Sequence, residues 1–302
     1  MIRSLTIPLA LIATICVEAT IVDPSNENIN EEVALLAEHT TVDTFLNTET
    51  FDDQKEEKVK NRVRRSDGGQ ELSNEDFEKY FPYVVALFDD EKHYVCAGSI
   101  LAPRLVLTTR YCTKPNPRPL SYIKAHTKDI YTNGTKYYVG QPIYYNNSKI
   151  HDIALLPLKT KISQARVVHL LPSDVPVPSG AEVRALGWGK MRDGLMSEHL
   201  RNVKLIVMDT KKCFNTVKHK YWICTESRVT CICIGDSGGP VMYKGKQVGL
   251  VSHPHSENKK CCTGQPDVHV NLKIYSDWIE TYANDPDYSS NLGQSTNKSN
   301  SQ

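Results

Sequence analysis

Gly235-Asp236-Ser237-Gly238-Gly239-Pro240 is a hexapeptide with few ways to fold. Glycine enters left-handed backbone about as readily as right-handed. Glycines on both sides of a serine therefore permit a tight turn that exposes its hydroxyl. The amides of Gly235 and Ser237 can then point at one spot and stabilise an oxyanion. A chance glycine-rich turn is the alternative, and six residues in this order account for it poorly.

The residues before and after this string set the scaffold. Short runs rich in Val, Ile, Tyr and Leu recur between Pro82 and Leu272, with turn signals between them. They include 83–88, 94–101, 105–109, 137–139, 153–156, 183–186, 203–208, 241–243, 248–252 and 268–272. Asn133-Gly134 is a hairpin signal. A last element, about 273–282, has Ile274, Trp278 and Ile279 at helical spacing. The pattern predicts an all-β domain, an antiparallel barrel or sandwich with one terminal helix. Lys plus Arg number 36 and Asp plus Glu 35. A nucleic-acid binder held by bulk charge is therefore not expected.

Both ends of the chain lie outside that pattern. Residues 1–19 read as a secretory signal: Arg3 supplies the charge, 5–16 is the apolar run, and small residues follow. The run is too short to span a membrane. Residues 20–65 hold 11 acidic and 6 basic residues and no cysteine. They end in the basic cluster Arg62-Val63-Arg64-Arg65, which reads as an acidic propeptide cut after Arg65; a solvated linker with an accidental basic run is the alternative. Residues 66–282 form the folded domain, and 283–302 a polar disordered tail. Asn133, Asn146 and Asn297 each begin an N-glycosylation pattern, which marks surface positions in a secreted chain.

At the hexapeptide the chain resembles the chymotrypsin-like serine peptidases, the trypsin-type family. Separate places carry the likeness: Cys96-Ala97-Gly98-Ser99-Ile100 with Cys112, Asp152-Ile153-Ala154-Leu155-Leu156, Gly187-Trp188-Gly189, and 275–279 with Trp278. The resemblance implies two antiparallel six-stranded β-barrels, a C-terminal helix and an active site in the cleft between the barrels. It assigns Ser237 the nucleophile's position, Asp152 that of the residue orienting the base, and Gly235 and Ser237 the oxyanion hole.

One position departs from the family. The first disulfide loop normally ends in a histidine directly before its second cysteine, and here the string is Thr108-Thr109-Arg110-Tyr111-Cys112. A serine hydroxyl is a weak nucleophile until a neighbouring base takes its proton. Tyrosine, with an unperturbed pKa of about 10, is protonated at neutral pH and a poor substitute. Loss of one triad member typically costs about 10⁴–10⁶ in turnover, or about 5–8 kcal/mol. About 10³–10⁴ over water survives through binding and the oxyanion hole. His151 adjoins Asp152, but neighbours on a strand point to opposite faces. His253 would have to replace a group that approaches from the other barrel.

The resemblance also implies changes in the substrate cleft. Ser252-His253-Pro254 matches the strand that pairs with substrate backbone, and Pro254 lacks the N–H this pairing uses. Cys231 matches the primary-pocket floor, so no acidic floor of the trypsin kind is present. Asp267 stands where a glycine usually leaves room. Cleavage after Arg65 would give Ser66-Asp67-Gly68-Gly69 in place of two apolar residues before the glycines. Polar residues have little drive into an apolar slot. The expectation is that Asp236 lacks its usual amine partner and that the oxyanion loop stays zymogen-like.

The mature chain keeps eight cysteines. The resemblance pairs Cys96 with Cys112 and Cys213 with Cys224. It pairs Cys233 with Cys261 or Cys262. Cys231 and the remaining one could form a fourth bridge beneath the pocket. A metal site from these close pairs is the rival, disfavoured in an oxidising compartment; no metal and no cofactor are expected.

The leading expectation is a secreted, extracellular serine-peptidase homolog that is a pseudoenzyme. It would serve as a cofactor or binding protein for other extracellular proteases, their inhibitors or surface ligands, with no nucleic acid and no membrane span. One alternative is a secreted serine endopeptidase of weak or atypical activity. Another is an adhesion or polyanion-binding module, on the local cluster Lys211, Lys212, Lys218 and Lys220 with Lys259 and Lys260.

Overall fold

The computed structural model describes residues 69–114, 118–132, 134–146, 150–191, 193–213, 220–226, 230–252, 261 and 266–289. Fourteen strands in two sheets frame the described residues. The first sheet holds β2 (Val84–Asp89), β3 (Tyr94–Ala102), β4 (Leu105–Thr108), β5 (Leu120–Ala125), β6 (Thr135–Tyr138), β7 (Ile143–Tyr144) and β8 (Ala154–Pro157). Its order is β6-β5-β2-β3-β4-β8-β7, antiparallel throughout. A single bridge between Val139 and Leu158 links the β6 side to the β8 side.

The second sheet holds β1 (Gln70–Glu71), β9 (Glu182–Gly187), β10 (Arg201–Met208), β11 (Trp222–Glu226), β12 (Pro240–Tyr243), β13 (Lys246–Val251) and β14 (Asp267–Asn271). Its order is β1-β10-β11-β14-β13-β12-β9, and β9 pairs back onto β10. Six strands thus close into a ring, with β1 added beside β10 through Gln70–Asn202 and Glu71–Arg201. The architecture is the expected trypsin-like one, mostly β with a C-terminal helix. Closure is complete only in the second half; the first is an open seven-stranded sheet whose edge strand β7 is two residues long.

Burial explains the strands. All six residues of β2 are buried, so its continuous apolar run faces protein on both sides. In β10, Val203, Leu205 and Val207 are buried while Lys204 and Ile206 are exposed, a period-two pattern that turns one face to the barrel. One hydrophobic cluster runs through the first sheet and into the second, including Leu87, Leu107, Leu155, Leu186, Trp188 and Leu250. Each such leucine withdraws about 2–3 kcal/mol worth of apolar surface from water. Between the two sheets, the Ala97 amide donates to the Ser237 carbonyl at 2.9 Å, and the Ser99 hydroxyl donates to the Gln247 side chain at 2.8 Å. These contacts position the hexapeptide against the first sheet.

Three helical features differ from expectation. The helix α1 (Asn74–Tyr80) was not anticipated. Ser73 caps it by accepting from the Asp76 amide at 3.0 Å, and Phe77 is its one buried residue. Seven residues with a single apolar anchor leave too little periodicity to read. The helix α2 (Thr210–Cys213) is a single turn. The closing element begins as a 3₁₀ turn at Leu272–Tyr275 and continues as α3 (Ser276–Ala283), with Ile279 buried. Ordered structure then runs past the expected boundary at 282 into α4 (Pro286–Ser289). The reason is local: the Arg104 amide donates to the Tyr288 carbonyl at 3.1 Å, and the rings of Tyr282 and Tyr288 lie 6.3 Å apart. No described helix is long and apolar enough to cross a membrane.

Candidate active site

Asp152 stands just before β8 and binds both sheets. Its Oδ2 accepts from the Ser252 hydroxyl at 2.8 Å, and its Oδ1 accepts from the backbone amide of Tyr111 at 2.8 Å. The side chain of Tyr111 opens the 3₁₀ turn Tyr111–Thr113 and is 40% exposed. That turn is held rigidly. Cys112 is bonded to Cys96, its amide donates to the Thr109 carbonyl at 3.2 Å, and the Thr113 hydroxyl donates to the Arg110 carbonyl at 2.8 Å. The Arg110 guanidinium lies 4.5 Å from the Tyr144 ring and donates to the Asn146 carbonyl at 3.1 Å.

Among the described residues, no histidine hydrogen-bonds Asp152 or Ser237. His151 turns away from its neighbour's carboxylate. Its Nδ1 lies 2.9 Å from the Tyr275 hydroxyl, and its ring packs edge-on against Tyr145 and Tyr221, both at 5.0 Å. Burial, and then the charge of Arg110, hold its pKa below the usual value. His93 pairs with Asp89, and His199 with Asp129. His253 lies outside the described residues.

The hexapeptide folds as a buried turn. Gly235 takes φ +100°, a conformation that a side chain would strain. The Tyr94 hydroxyl donates to the Gly235 carbonyl at 2.7 Å and so fixes that peptide's direction. Tyr94 in turn stacks edge-on with Trp188 at 5.9 Å. Ser237 is 3% exposed. Among the described residues, no hydrogen bond engages the Ser237 hydroxyl or the amides of Gly235 and Ser237. Donors without an internal partner are what an oxyanion site requires.

Asp236 is buried between backbone donors. Its carboxylate accepts from the Gly189 amide at 2.7 Å and from the Cys233 amide at 2.8 Å. Burial pushes its pKa up to about 6, against these two amides and the charge of Arg201. Gly187 lies against it, where a Cβ would meet the Asp236 Cα at 3.0 Å. Ser66, the expected source of an amine, lies outside the described residues, as does Arg65.

Asp267 opens β14 opposite Thr225. Burial pushes its pKa up to about 7, the Ile232 amide pulls it down, and the charge of Asp236 pushes it further up. Two residues along, on the same face, His269 is fully buried. Its Nε2 lies 2.7 Å from the Thr225 hydroxyl, while its Nδ1 finds no partner among the described residues. Burial lowers its pKa to about 3. Sequence reasoning did not single out His269; its spacing of two from Asp267 is the available signal. Ser252 lies beside the same strand, its amide donating to the Val268 carbonyl at 3.2 Å. Pro254 lies outside the described residues.

Disulfides join Cys96 to Cys112, Cys213 to Cys224 and Cys233 to Cys261. Cys231 is disulfide-bonded as well, to a cysteine outside the described residues; Cys262 lies outside them too. Among the described residues, no group of three or more His, Cys, Asp or Glu is placed to hold a metal ion. Asn146 is exposed after β7, and Asn133 and Asn297 lie outside the described residues.

The comparisons with known proteins agree on family and fold. A family model named trypsin matches residues 68–279. Chymotrypsin-2 of Vespa crabro is 29% identical over 214 residues, covering 66% of this chain and 93% of that protein. Brachyurin of Leptuca pugilator is 32% identical over 219 residues, covering 67% of this chain and 92% of that protein. Among solved structures, human heparin binding protein aligns with a TM-score of 0.63 at 21% identity, over 72% of this chain and 97% of that one. At that identity the likeness speaks for the fold.

Proposed function

The chain belongs to the trypsin family of serine peptidases, and on that premise we propose that it is a secreted, catalytically silent member that works by binding. Its partners would be extracellular proteases, their inhibitors or surface ligands. The observation that carries this reading is the Tyr111 position. The Tyr111 amide occupies one oxygen of Asp152, the Ser252 hydroxyl occupies the other, and no described histidine stands between Asp152 and Ser237. The carboxylate has its donors, the serine has its turn, and among the described residues no proton acceptor links them. A phenol at neutral pH holds its own proton and cannot take the serine's.

The rest of the cleft supports the same reading. By the family resemblance, Asp267 would put a buried acid where a substrate side chain enters, and Pro254 would lack a backbone donor that the pairing strand uses. The segment from Cys231 to Cys233 is tied by two disulfides.

A second reading, a weak serine endopeptidase, has its own observation. Gly235 and Ser237 keep amides that no described group engages, and the named relatives are proteases such as chymotrypsin-2. The deciding experiment treats the protein with a serine-reactive fluorophosphonate probe beside a Ser237→Ala control and assays peptide cleavage. The silent reading expects neither labelling nor cleavage above the control. Labelling with Ser237-dependent cleavage overturns it.

A further inference from the structure

Four ionisable side chains from three separate segments meet where β1 lies on the second sheet. Glu71 comes from β1, Lys128 and Asp129 from the turn between β5 and β6, and His199 from the residues just before β10. The backbone sets this meeting. Asp129 and His199 face each other across an antiparallel bridge. The Ile130 amide donates to the Glu198 carbonyl at 3.0 Å, and the Leu200 amide donates to the Lys128 carbonyl at 2.7 Å. The Trp188 indole N–H donates to that same carbonyl at 2.7 Å. The turn is thus stitched to the strand on which β1 rests.

The side chains close over this seam. His199 Nδ1 hydrogen-bonds the Asp129 carboxylate and lies 3.8 Å from the Glu71 carboxylate. Lys128 Nζ lies 3.2 Å from the first and 3.5 Å from the second. One imidazole and one ammonium therefore serve the same two carboxylates. The Lys128 side chain is 12% exposed and that of Asp129 24%, so water screens this group less than it screens an open surface pair. Against the effect of burial, the bonds from His199 and Lys128 hold the Asp129 carboxyl below its usual value.

The charge balance turns on the imidazole. With His199 neutral the four groups sum to −1, and with His199 protonated to zero. Histidine ordinarily changes charge between about pH 5 and 8. The neutral ring keeps an N–H for Asp129 but has no charge to hold Glu71, whereas the imidazolium attracts both. Arg201, on the adjoining strand, is committed elsewhere: its guanidinium donates to the Gly69 carbonyl. Glu78 of α1, His126 and Arg166 line a cavity with Lys128 and Asp129, and none of them pairs with His199 among the described residues.

We propose that His199 is a pH-dependent clasp on β1, gripping Glu71 when protonated and loosening it when neutral. β1 is the element able to respond. Two residue pairs and the Leu72 amide hold its backbone, so a single ion pair is a large share of its attachment. The clasp stands apart from the Asp152–Ser237 site and does not depend on whether Ser237 is reactive.

The test is hydrogen exchange of the full chain at about pH 5.5 and about pH 7.5, with each rate corrected to a protection factor. Protection at Glu71 and Leu72, taken relative to the strands of the closed ring, should be about three- to fivefold higher at the lower pH. His199→Gln keeps a donor for Asp129 and removes the titration, so relative protection should stay at the neutral value throughout. Glu71→Gln, at an exposed position, should remove the difference as well, and it tests the clasp should His199→Gln disturb the seam. Equal relative protection at the two pH values in the unsubstituted chain would overturn the proposal. So would a difference that survives both substitutions and disappears in His126→Gln or Asp236→Asn.

Discussion

The Ser252 hydroxyl donates to the Asp152 carboxylate at 2.8 Å across the junction of the two sheets. The bond joins residues a hundred positions apart, and one partner is ionised, which makes it roughly twice as strong as a neutral pair. Ser252→Ala should therefore lower stability by about 1–3 kcal/mol. The denaturant midpoint checks this; an unchanged midpoint would mean water serves Asp152 as well as serine does.

A histidine at position 111 is the sharpest probe of the proposed silence. Tyr111→His puts an imidazole on the turn whose backbone already binds Asp152. If the base alone is missing, the fluorophosphonate labelling rate of Ser237 should rise about 10²-fold or more. No rise would place the defect also in the oxyanion loop or the pocket. The double variant Tyr111→His, Ser237→Ala should stay unlabelled.

Two buried acids predict an unusual response to alkali. The folded pKa values of Asp236 and Asp267 are raised to about 6 and about 7, above an unfolded value of about 4. Their contribution to stability is full below about pH 4 and is lost as pH rises through 6 to 7. Asp267→Asn should remove part of that slope and raise the urea midpoint at pH 8 relative to pH 5. A slope equal to that of the unsubstituted chain would show that Asp267 titrates normally.

His269 acts in the opposite direction. Its folded pKa is lowered to about 3 by burial, against about 6.5 when unfolded. Its contribution is full above about pH 6.5 and is lost as pH falls toward 3. His269→Gln should flatten the acid limb of the stability profile, measured by urea midpoints between pH 3 and 7. The single nitrogen without a partner also makes this a site where glutamine, with one amide, costs less than the core position suggests.

How much of this was readable beforehand divides by range. The long strands were legible, because runs such as Val84–Phe88 and Val203–Met208 carry their burial in their own composition. β7 and β1, two residues each, were not, since pairing partners elsewhere create them. In the site, Ser237, Asp152 and Tyr111 were named from short strings. The partners that orient them were not: Ser252 was read as part of a substrate strand, and Tyr94 was read only as strand. A hydroxyl that reaches Gly235 from 141 positions away leaves no local mark. α1 was hidden for a different reason, a seven-residue helix anchored by Phe77 alone.

The closed ring of the second sheet has a kinetic consequence. Each strand from β9 to β14 in that ring has a neighbour on both sides, so its amides exchange with solvent only when the ring itself opens. β1 is clipped outside the ring by two residue pairs and by the Leu72 amide on the Leu200 carbonyl at 3.1 Å. It can lift away while every ring strand keeps both neighbours. Exchange at the β1 amides is therefore expected to run ahead of exchange in the ring, while Leu72 and Phe77 keep the rest of the arm anchored in the shared core.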